Sequence, residues 1–319
     1  MQSHLLPQPQ VLSGSLVHPN RRGFLRTTVG ATASVAVGLS GGVIGSLTAP
    51  RALSAAQKGA NMSFGLVTYM WGAEWDLPNL LKNCQATRVL GVELRTTHKH
   101  GVEPTLTDAQ RAEVRKRFAD SGVTCVGIGS NERYDYPDPK QLAKAMDASR
   151  EFIRLSHDIG ASGVKVKPDT FHKEIPREKT IEQIGKALNE LGEYGEGFGQ
   201  QIRLEVHGQC AELPTIKAIM DIAKHPNVAV CWNSNPQDLQ GDGLEHNFKL
   251  VCDRFGETCH IHDLSGKMYP WDKLFKLLVS VDYRGWLLLE EASKVDDKVA
   301  ALGRQRELFE QMLKAAQAS

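Results

Sequence analysis

The sequence lacks three patterns that would each assign a class of protein at once. Its six cysteines form no C-x-x-C pair and no short-range framework, which argues against a zinc ribbon or a disulfide scaffold. Lysine and arginine total 38 against 37 aspartates and glutamates, so no electrostatic footprint for nucleic acid is present. No predicted strand is followed by a Gly-x-Gly-x-x-Gly turn. We therefore expect a small-molecule partner and no nucleic acid.

A long apolar run is also missing. The only clean apolar segment, about 29–47, is weakly hydrophobic and interrupted by glycines, and no later run approaches the ~20 apolar residues that a spanning helix needs. It follows the paired Arg21 and Arg22 and precedes small residues at 52–56. Residues 1–56 resemble a twin-arginine export signal with a linker, which implies passage through the twin-arginine translocase to a periplasmic or otherwise exported location. An uncleaved membrane anchor is the main alternative.

What remains is an ordinary globular composition, with 41% hydrophobic and 24% charged residues, and an alternation of short aliphatic runs with amphipathic segments. The eight predicted strands are Phe64–Tyr69, Gly91–Arg95, Thr124–Ile128, Gly163–Lys167, Ile202–Val206, Val228–Trp232, Thr258–His262 and Trp286–Glu290. The predicted helices between and after them are Leu77–Cys84, Thr107–Asp120, Pro139–Ile159, Lys179–Glu196, Leu213–Lys224, Leu244–Phe255, Trp271–Val279 and Lys294 to about Ala316.

Eight strand–helix units predict an α/β protein whose parallel strands are joined by right-handed crossovers. The span of 57–319 has the size of a (β/α)8 TIM barrel, for which about 250 residues is typical. We predict one such barrel as a single domain after the export segment. An open doubly wound sheet is the alternative architecture.

Chemistry in a barrel collects at the carboxyl ends of its strands, and several predicted strands end in polar residues. The fifth places Glu205 and His207 on one face, because residues two apart in a strand point the same way. Asn233 follows the sixth strand. The seventh carries His260 and His262, and the eighth ends at Glu290 and Glu291.

These residues occur as Leu-Glu-x-His, Val-x-Val-x-Trp-Asn-Ser-Asn, His-x-His-Asp and Gly-x-x-x-x-Glu, and the set resembles the xylose-isomerase-like superfamily of sugar isomerases and epimerases. The resemblance implies a divalent metal at the barrel mouth, held by Glu, Asp, His and Glu from four strands. Residue by residue these fall on Glu205, Asn233, one of His260 and His262, and Glu290. Asn233 departs from the usual aspartate and removes one negative charge, and Pro236 replaces a histidine that contacts substrate in many relatives.

The oxygen-rich ligand set favours Mn²⁺ or Mg²⁺, with Co²⁺ or Zn²⁺ as alternatives. The resemblance implies that Glu205 and Glu290 also move protons as the catalytic carboxylates. Candidate substrate contacts are His207, Lys167, Glu93, His100 and Trp71. Three of them have a plain structural alternative: an ion pair at the barrel floor for Lys167, as for Lys165, packing for His207, and the hydrophobic core for Trp71.

The resulting functional prediction is a metal-dependent sugar isomerase or epimerase that abstracts a proton next to a carbonyl, through an enediolate intermediate. The export signal favours an unphosphorylated carbohydrate or keto-sugar, since sugar phosphates belong to cytoplasmic metabolism. A lyase or dehydratase with the same site remains open, as do a non-catalytic exported sugar-binding protein and a homo-oligomeric state. DNA repair of the endonuclease-IV type needs a larger ligand set and a basic surface.

Overall fold

The computed structural model describes residues 57–319, and no helix within that range is long and apolar enough to cross a membrane. The predicted export signal, residues 1–56, lies outside the described residues. The strands are β1 (Ser63–Met70), β2 (Gly91–Arg95), β3 (Thr124–Arg133), β4 (Gly163–Lys167), β5 (Gln201–Glu205), β6 (Val228–Cys231), β7 (Thr258–Ile261) and β8 (Trp286–Glu291). The helices are α1 (Leu77–Thr87), α2 (Asp108–Ser121), α3 (Pro139–Asp158), α4 (Arg177–Glu196), α5 (Leu213–Ile222), α6 (Gly243–Val251), α7 (Trp271–Ser280) and α8 (Lys298–Gln317).

The strands form one parallel sheet in the order β6-β5-β4-β3-β2-β1-β8-β7, which confirms the predicted TIM barrel. The sheet is nearly closed, because β6 and β7 meet through isolated bridges and not through a full ladder. One bridge pairs Asn233 with His260. His260 N also donates to the Trp232 carbonyl at 2.7 Å. The seam of the barrel therefore places two predicted metal ligands side by side.

The helix boundaries follow local capping chemistry. Thr107 accepts a hydrogen bond from Gln110 N while the Gln110 side chain returns to Thr107 N, a capping box that fixes the start of α2. Gly122 ends the same helix at φ 70°, a left-handed conformation that glycine adopts without strain. The predicted start of α3 is also confirmed, because Asp138 caps it and Pro139 occupies its first turn.

The predicted end of one strand was wrong. The sequence predicts a third strand over Thr124–Ile128, but β3 continues to Arg133. The extension is polar, and its hydrogen-bond partners come from β4: the Ser130 hydroxyl donates to the Lys165 carbonyl at 2.7 Å. Pairing with a neighbouring strand outweighed the weak local strand propensity, and the longer strand carries Arg133 to the mouth of the barrel.

Strand alternation separates two environments. Val92 and Leu94 of β2 belong to the large core between strands and helices, so Glu93 and Arg95 point into the barrel. A small apolar cluster of Val67, Val126 and Leu288 fills part of the barrel interior. The upper interior, towards the carboxyl ends of the strands, carries the charged side chains.

Arg203 fills the opposite end of the barrel. Its side chain is fully buried and donates to the Val126 carbonyl, to the Ser162 hydroxyl and to Glu257. Because its hydrogen-bonding capacity is used within the barrel floor, Arg203 has a structural role. The floor is thereby closed, and access to the charged interior is from the carboxyl-terminal mouth.

Candidate metal centre and active site

Three side chains from three strands converge at the mouth. His260 Nδ1 lies 3.3 Å from Glu205 Oε1 and 3.3 Å from Glu290 Oε2. One ligand atom from each of these three residues lies within 4.8 Å of the others. Glu205 and His260 are buried, whereas the Glu290 side chain is 18% exposed. The group therefore has an inner part shielded from water and one edge that a small molecule can reach.

Asn233 completes this group. Its Nδ2 donates to Glu205 Oε1 at 3.0 Å and to Glu290 Oε2 at 3.2 Å. Its Oδ1 is buried and has no hydrogen-bond partner within residues 57–319. A half-turn of the amide plane exchanges the two atoms and offers Oδ1 to the space between the carboxylates. Asn233 can thus either neutralise the carboxylates as a donor or serve as an oxygen ligand.

The two histidines left open by the sequence occupy different positions. His260 lies inside the group described above, whereas His262 uses Nδ1 to bond the backbone carbonyl of Glu290 at 2.7 Å. His262 is absent from the group of side chains whose ligand atoms converge in the described part of the chain. The geometry therefore favours His260 as the ligand and gives His262 the role of fixing the end of β8.

Lys165 and Glu93 support the group from below. Lys165 Nζ lies 2.7 Å from Glu205 Oε2, and both side chains are buried. Glu93 Oε1 lies 3.1 Å from His260 Nε2 and holds the imidazole ring in place. The sequence predicted that Glu93 contacts substrate; the structure places it against His260, beneath the residues that face the mouth.

Charge compensation keeps the carboxylates ionised. Burial alone would raise the pKa of Glu205, but Lys165 and His260 outweigh it and hold that pKa well below its usual range. The pKa of Glu290 is lowered too, because the hydrogen bond and charge of His260 outweigh burial. Two ionised carboxylates and an amide oxygen without a partner fit a divalent cation, and the His260 ring joins this donor set once the cation displaces the Nδ1 proton.

His207 is held by a residue that the sequence analysis missed. His207 Nδ1 lies 2.7 Å from Asp169 Oδ1, and Arg133 Nη1 lies 2.7 Å from Asp169 Oδ2. Asp169 has a left-handed backbone with φ 64°. A Cβ on Gly208 would lie 2.5 Å from the Asp169 carbonyl oxygen, so glycine is required for the loop after β5 to approach. The position of Asp169 two residues after β4 was the available signal.

The remaining predicted substrate contacts fall into two groups: one residue at the end of a strand, and two whose side chains are buried. Lys167 stands at the end of β4, half-buried, directly above the buried pair of Lys165 and Glu205. His100 is buried, with Nε2 bonded to the Arg95 carbonyl and Nδ1 accepting from Val102 N, so neither ring nitrogen is free. Trp71 is 3% exposed. Its Nε1 donates to the Ser293 carbonyl, and its ring packs in the large core. The structure brings Lys167 and His207 to the mouth, but not His100 or Trp71.

Comparisons with known proteins agree with the barrel fold described above. The family model described as xylose isomerase-like TIM barrel matches residues 82–314. An L-ribulose 3-epimerase structure superposes with a TM-score of 0.69 and 16% identity, over 80% of this chain and 95% of that chain. The structure of the 3-keto-D-glucoside 4-epimerase of E. coli superposes with a TM-score of 0.64 and 12% identity, over 80% of this chain and 99% of that chain. The IOLI protein, whose structure contains a zinc atom, superposes with a TM-score of 0.66 and 15% identity, over 80% of this chain and 99% of that chain.

Proposed function

Because this chain belongs to the xylose isomerase-like TIM barrel family, we propose that it is a divalent-metal-dependent sugar isomerase or epimerase. The observation that carries the proposal is the convergence of Glu205, His260 and Glu290 at the barrel mouth, with one ligand atom of each within 4.8 Å of the others. Two of the similar structures are sugar epimerases and a third holds zinc. We expect Mn²⁺ or Mg²⁺, with Co²⁺ or Zn²⁺ as alternatives.

The metal would be held by Glu205, His260, Glu290 and, after rotation of its amide, Asn233. The chemistry that a bound divalent cation supplies at such a site is Lewis-acid polarisation of a substrate carbonyl, which makes the neighbouring C–H more acidic. Glu93 keeps His260 Nε2 engaged at 3.1 Å, so Nδ1 is the nitrogen directed at the two carboxylates. The protein thus fixes which ring atom faces the ion.

Proton movement is assigned to the carboxylates. Glu290 is the more accessible of the two, with its side chain 18% exposed against 1% for Glu205. Glu205 is also tied to Lys165 at 2.7 Å. We therefore assign Glu290 as the group that takes a proton from the substrate carbon. Glu205 is the second carboxylate, and it must itself take up a proton before it can deliver one to that carbon. His207, with Nδ1 held by Asp169, presents Nε2 to a substrate oxygen.

The substrate proposed here is an unphosphorylated sugar or keto-sugar. Two features of the sequence support it: the twin-arginine-like segment, which favours an exported and periplasmic enzyme, and the lack of a glycine-rich phosphate loop. Expulsion of a leaving group after the same proton abstraction would make the protein a lyase or dehydratase, a closely related alternative.

One specific observation favours a second candidate function. Asn233 Nδ2 donates to both Glu205 and Glu290, so a neutral amide already satisfies the two carboxylates that a metal would bind. This arrangement suits a sugar-binding protein that retains the barrel mouth without catalysis. The two candidates differ in whether the protein binds a divalent cation.

The deciding experiment has two steps on the purified protein. Metal content and Mn²⁺ binding are measured first, by elemental analysis and calorimetry. Hydrogen–deuterium exchange at carbon is then followed by NMR for a panel of free sugars and 3-keto-glycosides in D₂O. Stoichiometric metal and exchange on at least one sugar support the enzyme. Sugar binding without metal uptake would replace it with the binding protein.

A further inference from the structure

Three cationic side chains end three consecutive strands. Arg95 ends β2, Arg133 ends β3 and Lys167 ends β4, and Arg133 and Lys167 are register partners across the β3–β4 ladder. We name these three residues the cationic rim. The rim faces the same mouth as the metal group, because the carboxyl ends of parallel barrel strands all lie at one end.

Among the residues that the structure describes, Arg133 is the only member of the rim that forms an ion pair. Arg133 contacts Asp169 at 2.7 Å and Asp135 at 3.4 Å. The Arg95 guanidinium bonds only neutral atoms: the Thr96 hydroxyl and carbonyl and the Asn131 amide oxygen. Within residues 57–319, the Lys167 side chain makes no ion pair or hydrogen bond, and the Arg95 side chain makes no ion pair.

The carboxylates near Lys167 are already engaged. Glu205 is paired with Lys165 at 2.7 Å, and Asp169 is shared between Arg133 and His207 at 2.7 Å each. Lys167 therefore lies close to other cations with no free anion of its own. Burial, followed by the charge of Lys165, lowers the pKa of Lys167, although Glu205 and Asp169 act in the opposite direction.

Glu103 lies near enough to Arg95 for their charges to interact, but it forms no ion pair with it, and its Oε1 accepts from Thr97 N. Two half-buried cations that form no ion pair are costly to maintain in a folded protein, since each has lost part of its hydration without a directly bonded anion. The rim lies beside a site that gains further positive charge when a divalent cation binds. Arg95 and Lys167 thus form a prepared site for an anion supplied from solution. An arginine fork and a lysine point charge are the usual recognition groups for carboxylate and phosphate oxygens.

From these contacts we infer that the substrate carries an anionic oxygen group, which binds to Arg95 and Lys167 while the sugar carbonyl lies at the metal group. This inference rests on the proposed sugar isomerase or epimerase function and narrows its substrate class to acidic sugars. The rim contains no glycine-rich phosphate cradle, so a carboxylate, as in a uronate, is the expected form; a phosphate is the other source of the same chemistry.

The test compares matched ligands on the full Mn²⁺-supplemented protein. D-fructose, D-glucose and D-galactose are each titrated by calorimetry beside the corresponding uronate and 6-phosphate. We expect at least one uronate to bind about tenfold more tightly than its neutral sugar, with the ratio falling as NaCl screens the charges. Lys167→Met should reduce the ratio of uronate affinity to neutral-sugar affinity to near one. Lys224→Met, an exposed lysine before β6 at the opposite end of the barrel, is the matched control and should keep it.

The outcomes separate this inference from the proposed function. Tighter binding of a uronate that depends on Lys167 supports the inference, and a preference for a 6-phosphate supports the anion site while rejecting an unphosphorylated substrate. Equal affinities for neutral and acidic sugars, or binding of none of the acids, would overturn it. Metal uptake with exchange on a neutral sugar alone would leave the isomerase proposal standing without the anion site.

Discussion

The two halves of the barrel mouth are built on different principles. On the side of β5 to β8, Glu205, Asn233, His260 and Glu290 contact one another at 3.0–3.3 Å, mostly away from water. On the side of β2 to β4, Arg95 and Lys167 are half-buried and have no ion-pair partner in the described part of the chain. In our proposals the first half would hold a divalent cation, and the second would bind an anionic group of the substrate. We call them the ligand half and the cationic half.

The largest expected effect comes from removing the accessible carboxylate of the ligand half. Glu290→Gln should lower the rate of carbon-bound hydrogen exchange by about 10³-fold or more, because the group that takes the proton loses its basicity. Exchange is measured by NMR in D₂O with the melting temperature as the folding check. Glu193→Gln, an exposed residue of α4, is the control. Exchange at the wild-type rate in Glu290→Gln would remove this residue from its assigned role.

Stability should depend more on the buried pair beneath the ligand half than on any cation of the rim. Lys165→Met removes the closest cation from the buried Glu205 carboxylate and leaves it only His260 and Asn233, which should lower the free energy of unfolding by about 3–5 kcal/mol. Denaturant titration measures the loss. The double variant Lys165→Met/Glu205→Gln should recover a large part of it, since the uncompensated charge is gone. A loss below about 1 kcal/mol in the single variant would contradict this account of the pair.

A pH-dependent effect concerns Asp238, which supports the loop after β6. Its side chain is fully buried, with Oδ2 accepting from the Tyr269 hydroxyl and from Asn235 N, and burial raises its pKa to about 7. A raised folded-state pKa gives stability that is present below the unfolded pKa and lost as pH rises towards 7. Asp238→Asn imitates the protonated acid.

We therefore expect Asp238→Asn to match the wild type at pH 4 and to exceed it by about 4 kcal/mol at pH 8. Denaturant unfolding at both pH values measures the difference. Asp272→Asn, an exposed aspartate in the first turn of α7, is the control and should show no such gain with pH. A variant less stable than the wild type at pH 8 would mean that Asp238 is favoured as the anion.

The smallest predicted effect comes from adding one negative charge to the ligand half. Asn233→Asp restores the carboxylate expected at this position and should raise Mn²⁺ affinity about tenfold, because hard divalent cations prefer anionic oxygen. Calorimetric titration measures it. Asn227→Asp adds the same charge at the opposite end of the barrel and should change the affinity little. Unchanged or weaker binding in Asn233→Asp would show that Asn233 does not face the ion.

Sequence patterns predicted much of the ligand half, because its residues belong to short motifs at strand ends. Glu205, Asn233, His260 and Glu290 were all named as ligands from sequence and all meet in the structure. The choice between His260 and His262 needed the fold, since both belong to the same predicted strand and only the pairing across the β6–β7 seam shows which ring enters the group.

Sequence patterns did not indicate the cationic half. Arg95 and Arg133 were not proposed, and His100 and Trp71 were proposed but lie in the backbone network and the core. A histidine or tryptophan near a strand end is equally suited to packing and to ligand contact, and only its hydrogen-bond partners distinguish the two roles. Arg133 reaches the mouth because β3 is five residues longer than its apolar run, an extension that depends on pairing with β4.

The sequence by itself determined the number and order of the strand–helix units, because hydrophobic periodicity and capping are local properties of the chain. It also determined which residue types stand at the strand ends. The tertiary structure decided which of those side chains face the same space and which are already satisfied. Those relations depend on distances between residues far apart in sequence, such as Glu93 and His260, 167 positions apart, and no local pattern contains them.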